Sequence, residues 1–194
     1  MAKSFTEIQK SNIRENLILG CETSWSKYGY KKTNIEELCL KAGISKGAFY
    51  LFFDSKEDLF CDVLDYAQNQ LVLLIRKILS ETPTKDGFAK MLKLLYREYD
   101  KNKFLHDLSS PDFMAFVNKL PKERISKHKI TSVMIFREMI EKANLKLIIR
   151  EEKACAVIST LLSIVSLEGK ERLGCGPFEV IDFLIDNTIE KIFE

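Results

Sequence analysis

The sequence predicts an all-α protein, and three observations carry that reading. Apolar residues recur at three- and four-residue spacing through most of the 194 positions. Only four Pro and eight Gly interrupt the pattern. No stretch alternates apolar and polar residues as a half-buried strand does. Apolar residues make up 46% and charged residues 30%, a balance that suits a globular chain. The length fits one domain or two small ones with a sizeable core.

A first helix starts at Thr6, with Gln9 three residues on as its capping-box partner, and runs to Tyr28. Ile13, Leu17, Cys21, Trp25 and Tyr28 form its apolar stripe, and Gly29 stops it. Lys3 and Lys10 near its start either touch phosphate or are simply solvated.

The stretch TNIEELCLKAGISKGAFYLFFDSK, from Thr33 to Lys56, is the most informative in the chain. Thr33 with Glu36 reads as a capping box, followed by Ile35, Leu38, Cys39 and Ala42 at helical spacing. Gly43 provides a left-handed stop, and Ile44 plugs the corner. Ser45 then caps a second helix over Ser45–Phe52, carrying Ala48, Phe49, Phe52 and Phe53, and Ser55 with Asp58 starts a third. Helix, tight glycine turn, helix is the layout of a helix-turn-helix, whose second helix enters a DNA major groove. An ordinary corner between two helices has the same outline. The exposed set argues for the first reading. Lys46 and Gly47 stand at a helix N-terminus, where amides and dipole favour phosphate. Gly47 and Ala48 let the backbone approach base edges, and Tyr50 lies one turn beyond Lys46, within reach of a phosphate oxygen. Ser45, Lys46, Gly47, Ala48 and Tyr50 are therefore the expected groove and backbone contacts, and Thr33, Asn34 and Lys56 the expected phosphate holders.

In this stretch the chain resembles the TetR family of transcriptional regulators. The resemblance rests on Gly29-Tyr30, Thr33, Ala42-Gly43-Ile44-Ser45-Lys46-Gly47, Phe49-Tyr50, Phe53 and Ser55-Lys56-Glu57, in that order, within Leu17 to Leu59. Trp25, Asn34, Ala48 and Asp54 depart from the commonest pattern. Ala48 offers no polar base contact and Asp54 repels a nearby phosphate, so no operator sequence carries over. The resemblance implies a helix-turn-helix DNA-binding domain over residues 1–54 and a helical ligand-binding and dimerisation domain over 55–194. It implies a repressor that binds double-stranded DNA at a palindromic operator as a homodimer and is released by a small-molecule effector. A helical sensor that retains the head without regulating genes through it is the alternative.

Downstream, a long helix runs from Ser55 toward Ser80 with Leu59, Val63, Tyr66, Gln70, Leu74 and Ile78 in register. After Pro83 and Gly87, Phe88, Met91, Leu92, Leu95 and Tyr99 define another helix. Asn102 to Ser110 reads as a turn, Pro111 to Leu120 as a short apolar helix, and Pro121 opens a longer one ending near Asn144. In the resemblance, residues 88–144 correspond to the inducer-binding core, with Met91, Tyr99, Phe113, Phe116, Met134 and Arg137 as pocket candidates. For each of them taken singly, a plain packed core is the better explanation. A helix within Arg150–Arg172 and a last one from Pro177 to Phe193 carry apolar residues wider than one buried face needs. Pairing with a copy as a four-helix bundle, the family's usual dimer interface, accounts for that width, and packing inside a monomer is the alternative.

Through residue 55 the chain has eight basic against six acidic residues, and beyond it 22 of each. The charge permits DNA binding without arguing for it. Cysteines at 21, 39, 61, 155 and 175 show no paired metal-ligand spacing. Cys21 and Cys39 read as small core residues, and Cys175 as accessible and a conceivable redox site. His106 and His128 have polar neighbours and no ligand-spaced partners. No metal, cofactor or active site is expected. Ala154–Leu167, an apolar run of 14 residues, is too short to span a bilayer, and the N-terminus lacks a secretory apolar run, so the cytoplasm is the expected compartment.

Overall fold

The computed structural model describes residues 5–107, 110–121, 131–166 and 174–194, the side chains of 131–136 excepted. These residues form nine α-helices and no strand, the all-α architecture the periodicity predicts. The helices divide between two compact units. The first takes residues up to Asn69 together with Asp107–Pro121, and the second Gln70–His106 with Lys122–Glu194.

In the first unit, Thr6 caps α1 (Glu7–Lys32) with the predicted reciprocal box to Gln9. The helix breaks at Gly29, whose φ of 82° and ψ of 171° lie outside the helical region. A side chain there would collide with the Asp112 carboxylate, because an added Cβ would sit 2.7 Å from Oδ2. That carboxylate accepts the Tyr30 and Lys31 amides. Asp112 belongs to α6 (Pro111–Val117), which Ser110 caps with Pro111 in its first turn. The break also changes which residue enters the core. The predicted stripe ended on Tyr28, yet Tyr28 is exposed and Tyr30 is buried, because the turn at Gly29 swings the following residue inward.

Tyr30 joins an aromatic cluster with Trp25, Phe60, Phe113 and Phe116. Trp25 lies 4.6 Å from Phe60 and 5.3 Å from Phe116, and Tyr30 lies 5.0 Å from Phe60, centroid to centroid. Each such pair contributes roughly 0.5–1.5 kcal/mol beyond area burial. Phe60 comes from α4 (Lys56–Glu81), started by Ser55, whose hydroxyl accepts the Asp58 amide at 3.0 Å. Around the cluster runs a polar seam. The Tyr30 hydroxyl donates to Glu57, and Lys119 Nζ sits 3.3 Å from the same carboxylate. Burial alone raises the Glu57 carboxyl, but the Tyr30 hydroxyl and the Lys119 ammonium outweigh it and bring the group below its usual value.

In the second unit, Thr84 caps α5 (Lys85–Lys101), whose Phe88, Met91 and Tyr96 are fully buried. Helix α7 (Thr131–Lys142) closes on Asn144, held at φ 50°. The 3.3 Å bond from the Leu145 amide to the Ile140 carbonyl completes a Schellman end there. The predicted opening of this helix at Pro121 runs into residues outside the described ones. Helices α8 (Glu151–Ser163) and α9 (Pro177–Ile192) follow, and the part of the predicted Arg150–Arg172 helix beyond Ser166 also lies outside. Ile181, Ile185, Ile189 and Ile192 bury one face of α9. Beside that face, Asp182, Asp186 and Glu190 meet Arg97, Lys93 and Lys85 of α5 at 2.7, 2.7 and 3.4 Å. Such largely solvent-accessible pairs are each worth little, and the buried isoleucine face carries most of the packing. The C-terminus folds back, with an isolated antiparallel bridge between Leu147 and Phe193. Cys21, Cys39 and Cys61 are buried and Cys175 is exposed. His106 does more than face solvent: its Nδ1 lies 3.0 Å from Ser166 Oγ, and its ring packs on Tyr99; His128 lies outside the described residues. Among the described residues, no helix is long and apolar enough to cross a membrane.

Two outcomes follow for stability. Gly29→Ala suffers both an unfavourable backbone and the Asp112 collision, whereas Gly43→Ala, at φ 72° with open space around it, suffers only the first. Urea unfolding is expected to give a loss of about 1–2 kcal/mol for Gly43→Ala and a clearly larger one for Gly29→Ala. The lowered Glu57 group stabilises the fold above the ordinary carboxylate value, and this contribution disappears as pH falls through its folded pKa, below 4.5. Glu57→Gln is therefore expected to melt lower at neutral pH and to lose less on acidification than the parent, as read from melting temperatures across that range.

Candidate nucleic-acid interface

The site grows from two short helices with strong local stops. Helix α2 (Ile35–Lys41) buries Leu38 and Cys39 and ends on Ala42. The Gly43 amide bonds to the Leu40 carbonyl at 3.2 Å and the Ile44 amide to the Cys39 carbonyl at 3.0 Å, a complete Schellman motif around left-handed Gly43. Its beginning differs from expectation. Asn34, not Thr33, is the N-cap, its side chain accepting the Glu36 amide at 2.8 Å. Thr33 is already engaged by α1, its hydroxyl donating to the Gly29 carbonyl at 2.8 Å, and the residue is buried. The predicted Thr33–Glu36 box does not form because the end of the preceding helix claims the threonine first.

Ser45 caps α3 (Lys46–Phe49) as predicted, accepting the Ala48 amide at 3.2 Å. The α-helical part is shorter than the Ser45–Phe52 span the sequence suggests. The Leu51 and Phe52 amides bond three residues back, at 3.1 and 2.9 Å, so the chain tightens into turns after Phe49. Phe49 and Phe53 are buried with stacked rings 5.6 Å apart, and the Arg14 guanidinium covers Phe53 while donating to the Phe52 carbonyl at 2.8 Å. Anchored on that side, the segment leaves Ser45, Lys46, Gly47 and Tyr50 exposed and Ala48 half-buried. Tyr50 is 58% exposed, its ring edge-on to Phe49.

Beside this edge lies an open groove of about 370 Å³, lined among others by Lys31, Lys32, Asn34, Lys46 and Tyr50. Lys46 Nζ bonds to the Glu36 carboxylate at 2.8 Å. That bond holds the Glu36 carboxyl below its ordinary value and the Lys46 ammonium above its own. Lys56 is placed differently from the expectation of a phosphate holder. Its Nζ donates to the Tyr30 and Thr33 carbonyls, both at 2.7 Å, and lies over the Tyr30 and Phe60 rings. Burial pushes its pKa down. The ammonium clamps the turn between α1 and α2. Of the eight expected contacts, Thr33, Asn34, Lys46, Tyr50 and Lys56 line this groove, and Ser45, Gly47 and Ala48 lie beside it on the α3 segment. Sequence reasoning missed Glu36 as the partner of Lys46, and it passed over Leu40 and Leu51. They are 82% and 72% exposed, although a leucine in a short helix reads as core.

The pocket candidates belong to both units. Phe113 and Phe116 pack into the aromatic cluster of the first unit. Met91 is fully buried in the second, and Tyr99 is half-buried there, its phenol pushed up by burial. Arg137 is on the surface, bonded to Glu151 at 2.9 Å, and the Met134 side chain lies outside the described residues. No cluster of metal-ligating side chains occurs among the described residues.

Residues 22–63 match the family of bacterial regulatory proteins, tetR family. Among curated proteins, the uncharacterized HTH-type transcriptional regulator YuxN of Bacillus subtilis (strain 168) is 32% identical over 94 residues, covering 46% of this chain and 32% of that protein. The chain thus spans about a third of the length of this relative, and the same share holds for YerO of the same organism, at 30% identity. Among solved structures, the TetR family transcriptional regulator CifR, complexed with double-strand operator DNA, superposes with a TM-score of 0.63 at 19% identity over 99% of both chains. The transcriptional regulator FadR from Bacillus subtilis, in complex with stearoyl-CoA, does so at 0.62 and 15% identity, over 92% of this chain and 98% of that one. The capped helix-turn-helix thus lies in the segment that matches the tetR family, and the all-α fold around it is the one these solved regulators share.

Proposed function

We propose that the chain is a dimeric transcriptional regulator that seats the Ser45–Tyr50 segment in a DNA major groove. The observation that carries the proposal is the edge formed by Ser45, Lys46, Gly47 and Tyr50, exposed together on a segment whose opposite side is locked by Phe49, Phe53 and Arg14. Lys46 and Tyr50 reach phosphate oxygens, Gly47 and Ala48 bring the backbone close to base edges, and Asn34 presents the start of α2 to the backbone of the duplex. Thr33 and Lys56 hold the turn between α1 and α2, from which α2 starts. A palindromic operator follows from the two-fold symmetry of a dimer, and the cytoplasm is the compartment in which such a regulator meets its DNA.

The dimer is proposed through α8 and α9. Phe178 and Phe183 of α9 are 40% and 66% exposed, and Ala156, Ser159, Thr160 and Ser163 give α8 an exposed face of small residues against which a second copy packs closely. Release by a small-molecule effector bound in the second unit is the proposed control, with repression as the default output. The stearoyl-CoA bound by one fold neighbour makes an amphipathic ligand the first class to test. Moving a mostly bound population to a mostly dissociated one takes on the order of 5 kcal/mol of differential affinity.

The test is fluorescence anisotropy with a duplex from upstream of the protein's own gene, against a scrambled duplex of equal length, at several salt concentrations. Tight binding to the first alone, with two protomers per site, is expected. The Lys46→Ala, Tyr50→Ala double variant is expected to weaken binding by at least tenfold and flatten the salt dependence. No binding to either duplex at low salt, after ligand is stripped by refolding, would replace this reading with that of a helical sensor. Phe183→Asp puts a charge into the proposed bundle, and sedimentation is expected to find monomers with reduced operator affinity. An unchanged dimer would move the interface elsewhere.

A further inference from the structure

The acidic residue on the DNA-facing edge has a role of its own, which rests on the DNA-binding reading. Lys46 is the cation at the start of α3, and its Nζ is already bonded to Glu36 Oε1 at 2.8 Å. The two residues are ten apart on different helices, and both side chains remain more than half exposed, at 56% and 63%. Nothing buries the pair, so a phosphate can compete for the lysine. Glu36 nevertheless stands with it in the same groove, where its carboxylate faces any duplex that approaches.

We propose that Glu36 is a specificity-determining residue: it withholds Lys46 from non-operator DNA and yields it only when operator contacts hold the head in register. Non-specific affinity is almost wholly phosphate contact and counterion release. A head lying loosely on a random duplex has no other contacts to offset breaking the Lys46–Glu36 bond, so that bond stays made. On the operator, base-edge and backbone contacts fix the Ser45–Tyr50 segment against the groove, and Lys46 exchanges its carboxylate for a phosphate. The carboxylate thus lowers the background more than the signal.

Salt dependence separates this from a general charge effect. Glu36→Gln is expected to bind scrambled DNA several-fold more tightly, with a salt slope steeper by about 0.9 for each head on the duplex, the signature of one added phosphate contact per protomer. Its operator slope is expected to stay that of the parent, because Lys46 is already engaged there, so the operator-to-scrambled ratio narrows. In a Lys46→Met background the same substitution is expected to leave the scrambled slope unchanged. Equal steepening on both duplexes, no steepening on either, or steepening that persists without Lys46 would each overturn the inference. Glu36 also lies in the first turn of α2, where an acid favours the helix. Melting temperature and helical circular dichroism of Glu36→Gln therefore accompany the titrations, and Glu36→Ala serves as a second variant if the first loses its fold. Failure of the parent protein to distinguish the two duplexes would instead count against the DNA-binding reading itself.

Discussion

The first unit is held by the contact between the Asp112 carboxylate and the chain at Gly29. A glycine is required there on two grounds, the positive φ and the nearness of the carboxylate oxygens. The break lets Thr33 tie back to the Gly29 carbonyl and turns Tyr30 into the aromatic cluster. Lys56 then bonds to the carbonyls of Tyr30 and Thr33, which fixes where α2 begins. Each of these contacts presupposes the one before it. The placement of the α2–α3 pair therefore depends on a residue 83 positions downstream of the glycine it touches.

Polar groups near this frame fall into two kinds by what surrounds them. Those against the aromatic cluster are each held by two partners: the Lys56 ammonium by two carbonyls, the Glu57 carboxylate by the Tyr30 hydroxyl and Lys119. Desolvation makes an unpaired group there expensive, so these bonds persist. Lys46 and Glu36 are bonded at a similar distance but stand in water, where an ion pair is weak and exchangeable. The same chemistry thus gives a fixed strut in one place and a contact open to competition in another.

The second unit solves a simpler problem, the packing of long amphipathic helices. The isoleucines of α9 supply a buried face, and the acid ladder beside it meets the bases of α5. Phe183, on a helix otherwise well matched to its neighbours, stays out of that core.

Local signals settled a good deal. The capping box at Thr6, the Schellman stop at Gly43, the Ser45 cap and the start of α9 were all legible, because each depends on residues within one or two turns, whereas α5 begins at Lys85 under a Thr84 cap and takes in Gly87, which read as part of the break before it. So was the exposed edge at Ser45, Lys46, Gly47 and Tyr50, since the helical period alone sends Phe49 inward and its neighbours outward. The reach of Asp112 to Gly29 was not legible, nor the transfer of Phe113 and Phe116 to the aromatic cluster, nor the preference of Tyr30 over Tyr28, nor the inward turn of Lys56. Spacing along the chain carries no information about which carboxylate or ring arrives from 50 or 80 residues away. Sequence by itself determined the all-α class, most of the helices, several of their caps and the helix-turn-helix motif, because those follow from local hydrogen bonding and periodicity. Tertiary structure alone decided which polar side chains are struts and which remain available to a ligand, because that turns on desolvation by distant parts of the chain.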